Sequence, residues 1–137
     1  MAAHFGNLNW LAILACVVVG QVFLTVWFVA LFAKPWAKEY GVEDPKQHTS
    51  EVPGYTYAIG AVCVALLSIG LGVVQSAMGV EGVLDGLMVG AFVALTFALA
   101  TALPGYAFLK RYGAFSLALG SQTTLILILS TVLAAWP

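Results

Sequence analysis

Charged residues are scarce in this chain. Five Lys or Arg and six Asp or Glu occur among 137 residues, which is 8% of the sequence, whereas an ordinary soluble domain carries roughly 25%. So few charged side chains cannot cover the surface of a water-soluble fold of this length, and lipid must therefore face much of the outside. The net charge of -1 gives no clustered basic face, which excludes nucleic acid as a partner.

Histidine and cysteine are also rare, with two of each. His4 and His48 lie outside the long apolar runs, which disfavours ligation of haem or bacteriochlorophyll by a histidine within a membrane. Cys16 and Cys63 lie inside apolar runs, where they are typical of small buried hydrophobic residues, although their similar depth leaves a disulfide open. No Ser–His–Asp, Cys–His or phosphate-binding glycine motif occurs, so that the sequence predicts no cofactor, no metal and no catalytic residue.

Long apolar runs dominate the chain, since 62% of its residues are hydrophobic. Four runs, at about 8–32, 55–78, 83–103 and 114–136, reach or exceed the roughly 20 residues that span a bilayer. They lack the alternating pattern of barrel strands. The predicted fold is therefore all-α: one transmembrane domain over residues 1–137 that forms an integral membrane four-helix bundle, with the third helix ending before Pro104.

The basic residues predict the orientation of this bundle. Lys34, Lys38 and Lys46 lie in the loop 34–52, Lys110 and Arg111 lie in the third loop, and the other polar segments contain neither Lys nor Arg. Because positive loops face the cytoplasm, loop 34–52 is predicted to be cytoplasmic, and Met1, the Gly79–Gly82 turn and Pro137 to be non-cytoplasmic. The expected location is the bacterial inner membrane, and the reverse orientation is the alternative.

Within loop 34–52, the segment Pro35–Tyr40 is expected to form a short helix in the membrane interface. Pro35 suits a first helical turn, and Trp36 and Tyr40 lie four residues apart on one helix face. We interpret this segment as an anchor, with a binding role as the alternative.

A row of small residues is the clearest packing signal. It recurs every four positions in the third run, at Gly82, Gly86, Gly90, Ala94, Ala98 and Ala102. The second run has a comparable face, at Ala61, Ala65, Ser68 and Gly72. Small side chains allow helix backbones to approach closely, and the short turn between the two runs predicts that these faces meet. A lipid or ligand groove and an oligomer interface are the alternatives.

Two acidic residues, Glu81 and Asp85, lie at the start of the third helix. Carboxylates are favoured at a helix N-terminus and can reach water there. The alternative is a site for a small cation or proton that also includes His4, because no Lys or Arg on this side of the membrane can neutralise the two acids.

Two glutamines lie deeper in the apolar runs. Gln21 is near the middle of the first helix and Gln122 is in the fourth, at depths that differ by only a few Å. We predict a direct hydrogen bond between them as packing contact, with substrate contact as the alternative. Gln75, near the outer end of the second helix, is expected to be hydrated.

The segment from Leu31 to Gly41, with its Lys34-Pro35-Trp36-Ala37-Lys38 core, and the Ala135-Trp136-Pro137 ending carry a resemblance. Together with the four spans, they make the whole chain resemble the bacterial membrane proteins of domain-of-unknown-function family 1761. The resemblance implies a four-helix fold and supplies no activity.

These observations favour a non-enzymatic structural or accessory bundle that self-associates or binds a larger membrane complex, with membrane lipids as its other partners. The alternative is a small carrier or channel for an apolar or weakly polar solute oriented by Gln21 and Gln122, and a lipid-acting enzyme is a third. A cavity that reaches both glutamines would support the carrier. A solid core with an exposed face of small residues would support association.

Overall fold

The computed structural model describes residues 2–137, and Met1, which was predicted to mark the non-cytoplasmic side, lies outside them. Seven helices follow one another in this range: α1 (Ala2–Gly6), α2 (Trp10–Leu31), α3 (Ala33–Tyr40), α4 (Pro45–Glu51), α5 (Gly54–Met78), α6 (Val83–Phe108) and α7 (Tyr112–Ala135). Four of them, α2, α5, α6 and α7, are long and apolar enough to cross a membrane. The predicted all-helical fold with four candidate spans is therefore confirmed.

The bundle has two distinct ends. At one end, which we call the terminal end, α1, the turn between α5 and α6 and the end of α7 meet around Asn9. The Asn9 Oδ1 atom caps α2 by accepting from the amides of Leu11 and Ala12 at 3.1 Å, and its Nδ2 donates to the carbonyls of Trp136 and Pro137 at 3.4 and 3.2 Å. The opposite end, which we call the basic end, consists of α3, α4 and the connection from α6 to α7. It contains all five Lys and Arg residues of the chain.

The third span continues past the expected end at Pro104 and stops only after Phe108. Proline removes one amide donor from the helix, but within a membrane such a residue is tolerated where threonine side chains and local π-helical turns satisfy nearby carbonyls. Both features are present here. Residues Ala94–Leu99 form a π-helix, and the Thr101 hydroxyl donates to the carbonyl of Phe97.

The row of small residues in α6 packs against a different helix from the predicted one. Gly86 and Gly90 are buried against α7, where a Cβ on Gly86 would lie 3.0 Å from the Ser130 carbonyl oxygen and one on Gly90 would lie 2.9 Å from the Ser130 Cβ. The predicted contact with the small face of α5 is therefore wrong. Ser130 and Ala134 give α7 a small face of its own, and α5 packs mainly on α2, where Gly20 admits the side chain of Val64.

The core lies along α7, which contacts each of the other three spans. Its most deeply buried apolar residues come from α2, α5, α6 and α7: Ala12, Cys16, Val64, Leu71, Ala94 and Leu129. Cys16 is buried and its thiol lies 3.8 Å from the carbonyl oxygen of Leu129, whereas Cys63 is exposed and both cysteines are free. The disulfide left open by the sequence does not form, and the interpretation of Cys63 as buried is wrong.

The predicted short helix is confirmed as α3, in which the Trp36 and Tyr40 rings stack with centroids 5.7 Å apart. Its location at the membrane interface stays a prediction. A second short helix, α4, was not predicted. It begins at Pro45 and is capped by Asp44, whose Oδ1 accepts from the amides of Lys46 and Gln47.

Candidate functional site

The terminal end contains a cavity of about 220 Å³. Its apolar wall includes Leu8 and Gly72, and its polar side chains are those of Asn7, Asn9, Gln75 and Ser76. Gly72 shapes this space because a Cβ there would lie 3.0 Å from the Leu8 side chain. The cavity thus offers neutral amide and hydroxyl groups to whatever enters it.

Gln75 joins this cavity to the interior of the bundle. Its Nε2 donates to the carbonyl oxygen and the hydroxyl oxygen of Ser130 at 2.8 and 2.7 Å, and the Ser130 hydroxyl donates to the Gly86 carbonyl at 2.6 Å. Gln75 is 6% exposed and Ser130 is fully buried, so the expectation that Gln75 is hydrated is wrong. The three residues connect α5, α6 and α7 where the absence of a Cβ on Gly86 allows close approach.

The acidic residues and His4 do not form one site. The His4 Nδ1 lies 3.0 Å from the Ser76 hydroxyl, which places this α1 residue against α5. The Asp85 carboxylate, in the first turn of α6, instead accepts from the Glu81 amide at 3.3 Å. Within the described part of the chain, no group of three His, Cys, Asp or Glu side chains is placed to hold a metal ion.

Gln21 and Gln122 are not brought together, and the predicted hydrogen bond between them is wrong. The Gln21 Nε2 donates to the Tyr57 carbonyl of α5 at 2.9 Å, beside Gly60, whereas Gln122 lies on the exposed surface of α7. Gln21 and Thr25 line a cleft of about 460 Å³ that opens between α2 and α5. This cleft does not reach Gln122.

A cluster at the basic end holds α3 against the connection to α7. The Tyr40 and Tyr106 hydroxyls are 3.4 Å apart, and this hydrogen bond, followed by partial burial, raises the pKa of Tyr40 above its ordinary value of 10.0. The Arg111 guanidinium donates to the Glu39 carbonyl and lies 5.8 Å from the centre of the Tyr40 ring. Sequence reasoning missed this cluster, although the predicted topology already placed Tyr40, Tyr106 and Arg111 at the same end.

A groove of about 620 Å³ lies at the same end, between the end of α2 and the pair α3 and α4. Val29, Ala30 and Leu31 form its apolar wall. Lys34 of α3 and Lys46 of α4 also line the groove. Close by, α2 becomes a π-helix over Val26–Leu31, a conformation that often occurs at functional sites.

The indole of Trp27 belongs to that π-helical segment. Its Nε1 is buried without a hydrogen-bond partner in the described chain, while its ring contacts Phe32 at a centroid distance of 4.4 Å and approaches Gly120. This is the one buried side-chain nitrogen or oxygen among the described residues that the fold leaves unsatisfied. A buried donor without a partner lowers the stability of the fold, and the packing around the indole must offset this free energy.

Apart from the Asp85 carboxylate in the first turn of α6, the Trp27 indole and the two thiols, the polar groups of the spans are amides, hydroxyls and carbonyls that bind by hydrogen bonding. Neutral groups of this kind orient a ligand or hold helices together, and they neither donate nor accept a proton readily at neutral pH. The charged groups lie at the two ends of the bundle.

No curated protein and no solved structure matches this chain. A family model described as "Protein of unknown function (DUF1761)" matches residues 11–134, which is nearly the whole chain and includes all four spans apart from their outermost residues. The resemblance seen in the Lys34–Lys38 segment and in the four-span layout is thereby confirmed. The chain belongs to the DUF1761 family of proteins of unknown function.

Proposed function

We propose that this protein is a non-enzymatic membrane bundle that acts by association, with a second copy of itself or with a larger membrane complex. The polar groups of the spans support this, because most of them serve packing. Gln75 and Ser130 connect three helices, and Gln21 connects two. The core between them is filled by side chains such as Leu129 and Val64, which are at most 2% exposed.

The observation that carries the proposal is the position of Gln122. It lies near the middle of the 24-residue α7 and is exposed. A carboxamide in hydrocarbon loses its hydrogen bonds to water, at a cost of several kcal/mol in a solvent that offers no partner. A glutamine of a neighbouring chain can restore these bonds, and contacts of this kind contribute about 1 kcal/mol in membranes.

The small-residue row gives no additional support for association, since Gly86, Gly90 and Ala94 are buried inside the bundle. The proposed contact surface is therefore the exposed part of α7 around Gln122.

The test is the molar mass of the purified protein in a mild detergent and in lipid nanodiscs, by light scattering and native mass spectrometry. We expect a particle containing more than one 14.4 kDa chain, or a stable complex with another membrane protein. Gln122→Leu should shift the population to the single chain, whereas Gln21→Leu, which changes an internal contact, should leave it unchanged. A single chain in both environments without a copurifying protein would overturn the proposal.

A second function, a carrier of a weakly polar solute, is favoured by one observation. The Gln21 cleft of about 460 Å³ opens sideways from the bundle and presents Gln21 and Thr25 to a molecule dissolved in the bilayer. Solute-loaded vesicles that contain the protein should then leak in proportion to protein content, and Gln21→Leu should abolish the leak. Equal leakage from vesicles without protein would exclude this function.

We also propose that the basic end faces the cytoplasm of a bacterial inner membrane and that the terminal end faces outward. After replacement of Cys16 and Cys63, a membrane-impermeant thiol reagent should label Glu81→Cys on intact cells and should label Gln47→Cys only after lysis. The opposite labelling pattern would reverse the orientation.

A further inference from the structure

We infer that the groove at the basic end binds one anionic phospholipid of the surrounding bilayer, with its phosphate between Lys34 and Lys46 and its acyl chains along the end of α2. This inference goes beyond the proposed association, and it does not depend on it. The evidence is the combination of shape, depth and charge that the groove presents.

The walls of the groove match the two parts of a lipid. Val29, Ala30 and Leu31 belong to the last turns of a membrane span, so an acyl chain lying there is already at the level of hydrocarbon. Lys34 and Lys46 are exposed and begin just beyond that level, on α3 and α4, where a phosphate group lies. The volume of about 620 Å³ falls within the roughly 300–1,000 Å³ of small-molecule sites.

The charges select the headgroup. Two lysines and one aspartate, Asp44, line the groove, which leaves one net positive charge. The Asp44 carboxylate is directed to the amides of Lys46 and Gln47 as a helix cap. A phosphatidylglycerol-type lipid brings one negative charge and neutralises the groove, whereas a zwitterionic choline lipid also brings a cation that both lysines repel.

The local backbone gives the groove its form. The π-helical turns over Val26–Leu31 widen the end of α2, and α3 begins at Ala33, directly after them. On the opposite side, the Asp44 cap and Pro45 fix the start of α4 and therefore the base of the Lys46 side chain. The two lysines are thus held on separate helices. A phosphate group can therefore bind between two lysine side chains and not beside only one.

The test compares lipid binding to the purified full chain by native mass spectrometry, with phosphatidylglycerol and phosphatidylcholine of identical acyl chains. One lysine near an anionic surface contributes about 1 kcal/mol, which is about fivefold in affinity. We expect the first phosphatidylglycerol to bind about fivefold or more tightly than phosphatidylcholine. The double variant Lys34→Gln/Lys46→Gln should lose this preference.

A matched variant, Lys38→Gln/Lys110→Gln, removes the same charge from the same end outside the groove and should keep the preference. Asp44→Asn, which preserves the helix cap, should strengthen phosphatidylglycerol binding several-fold. Equal loss in both double variants, or no preference in the unmodified chain, would overturn the inference. Displacement of the lipid by inorganic phosphate at comparable concentration would also overturn it, because the site would then recognise free phosphate and not a bilayer lipid.

Discussion

The two halves of this bundle are built differently. In the half near the terminal end, glycine and serine bring α6 and α7 together, and the Gln75 Nε2 atom donates to two oxygens of Ser130. In the half near the basic end, α2 and α6 pass through π-helical segments, and Gln122 is exposed. The two larger recesses, of about 460 and 620 Å³, are in this second half, whereas the terminal half has recesses of about 220 and 370 Å³.

This difference assigns separate tasks to the two halves. Close packing with satisfied hydrogen bonds stabilises a helix bundle within a membrane, where the hydrophobic effect does not drive helices together. Widened helices and open recesses contribute little to stability, but they present surface to lipid, solute or a second chain. We therefore expect substitutions in the terminal half to change the free energy of unfolding and substitutions in the basic half to change binding.

The largest effect is expected at Gly86. A Cβ there would clash with the Ala134 Cβ and lie 3.0 Å from the Ser130 carbonyl oxygen, both on a neighbouring rigid helix. Gly86→Ala should therefore destabilise the bundle by about 1–3 kcal/mol in unfolding by denaturing detergent. Gly70→Ala is the matched control on α5, since no atom lies within 4 Å of its new Cβ, and it should be neutral or stabilising by up to about 1 kcal/mol. Equal behaviour of the two variants would refute the close-packed terminal half.

An intermediate effect is expected from the hydrogen bonds between Gln75 and Ser130. Gln75→Met and Ser130→Ala should each destabilise the bundle, and the double variant should cost less than the sum of the two because they share an interaction. The coupling should be about 0.6 kcal/mol, the average for side-chain hydrogen bonds between membrane helices, and at most about 1.7 kcal/mol. Gln122→Met, on an exposed surface of the basic half, should change the stability of the single chain by less than about 0.5 kcal/mol. Additive effects at positions 75 and 130 would mean that the hydrogen bond between the Gln75 amide and the Ser130 hydroxyl contributes nothing.

The number of candidate spans and the short helix α3 were predictable, because both depend on local properties. A span is defined by the length and composition of one segment, and α3 by the spacing of Trp36 and Tyr40 within a single turn of helix. The row of small residues in α6 was likewise recognisable as a contact surface, since Gly86 and Gly90 are buried. Each of these inferences needed only residues that are close in sequence.

The partners of these surfaces were not predictable, because they depend on how each helix is rotated about its axis. Gln21 and Gln122 have similar depths, but α2 turns Gln21 towards Tyr57, where Gly60 leaves room for the carboxamide. Depth near the end of a span also failed to indicate hydration for Gln75, which α7 covers with Ser130. The periodicity of one segment indicates neither how its helix is rotated about its axis nor which neighbouring helix covers a given side chain.

The smallest effect is expected at the Tyr40–Tyr106 pair, where α3 meets α6. The hydrogen bond between the two hydroxyls raises the pKa of Tyr40 above 10.0, so the folded state favours the protonated phenol. The stabilisation that this pair provides is therefore fully present below pH 10 and is lost as the pH rises through the raised pKa. In a titration followed by tyrosinate absorbance, Tyr40→Phe should remove a late-ionising phase, and Tyr106→Phe should move that phase towards the ordinary range. Tyr55→Phe, at an exposed position, should leave it in place. Persistence of the late phase in Tyr40→Phe would show that it belongs to another tyrosine and that the hydrogen bond to Tyr106 does not raise the pKa of Tyr40.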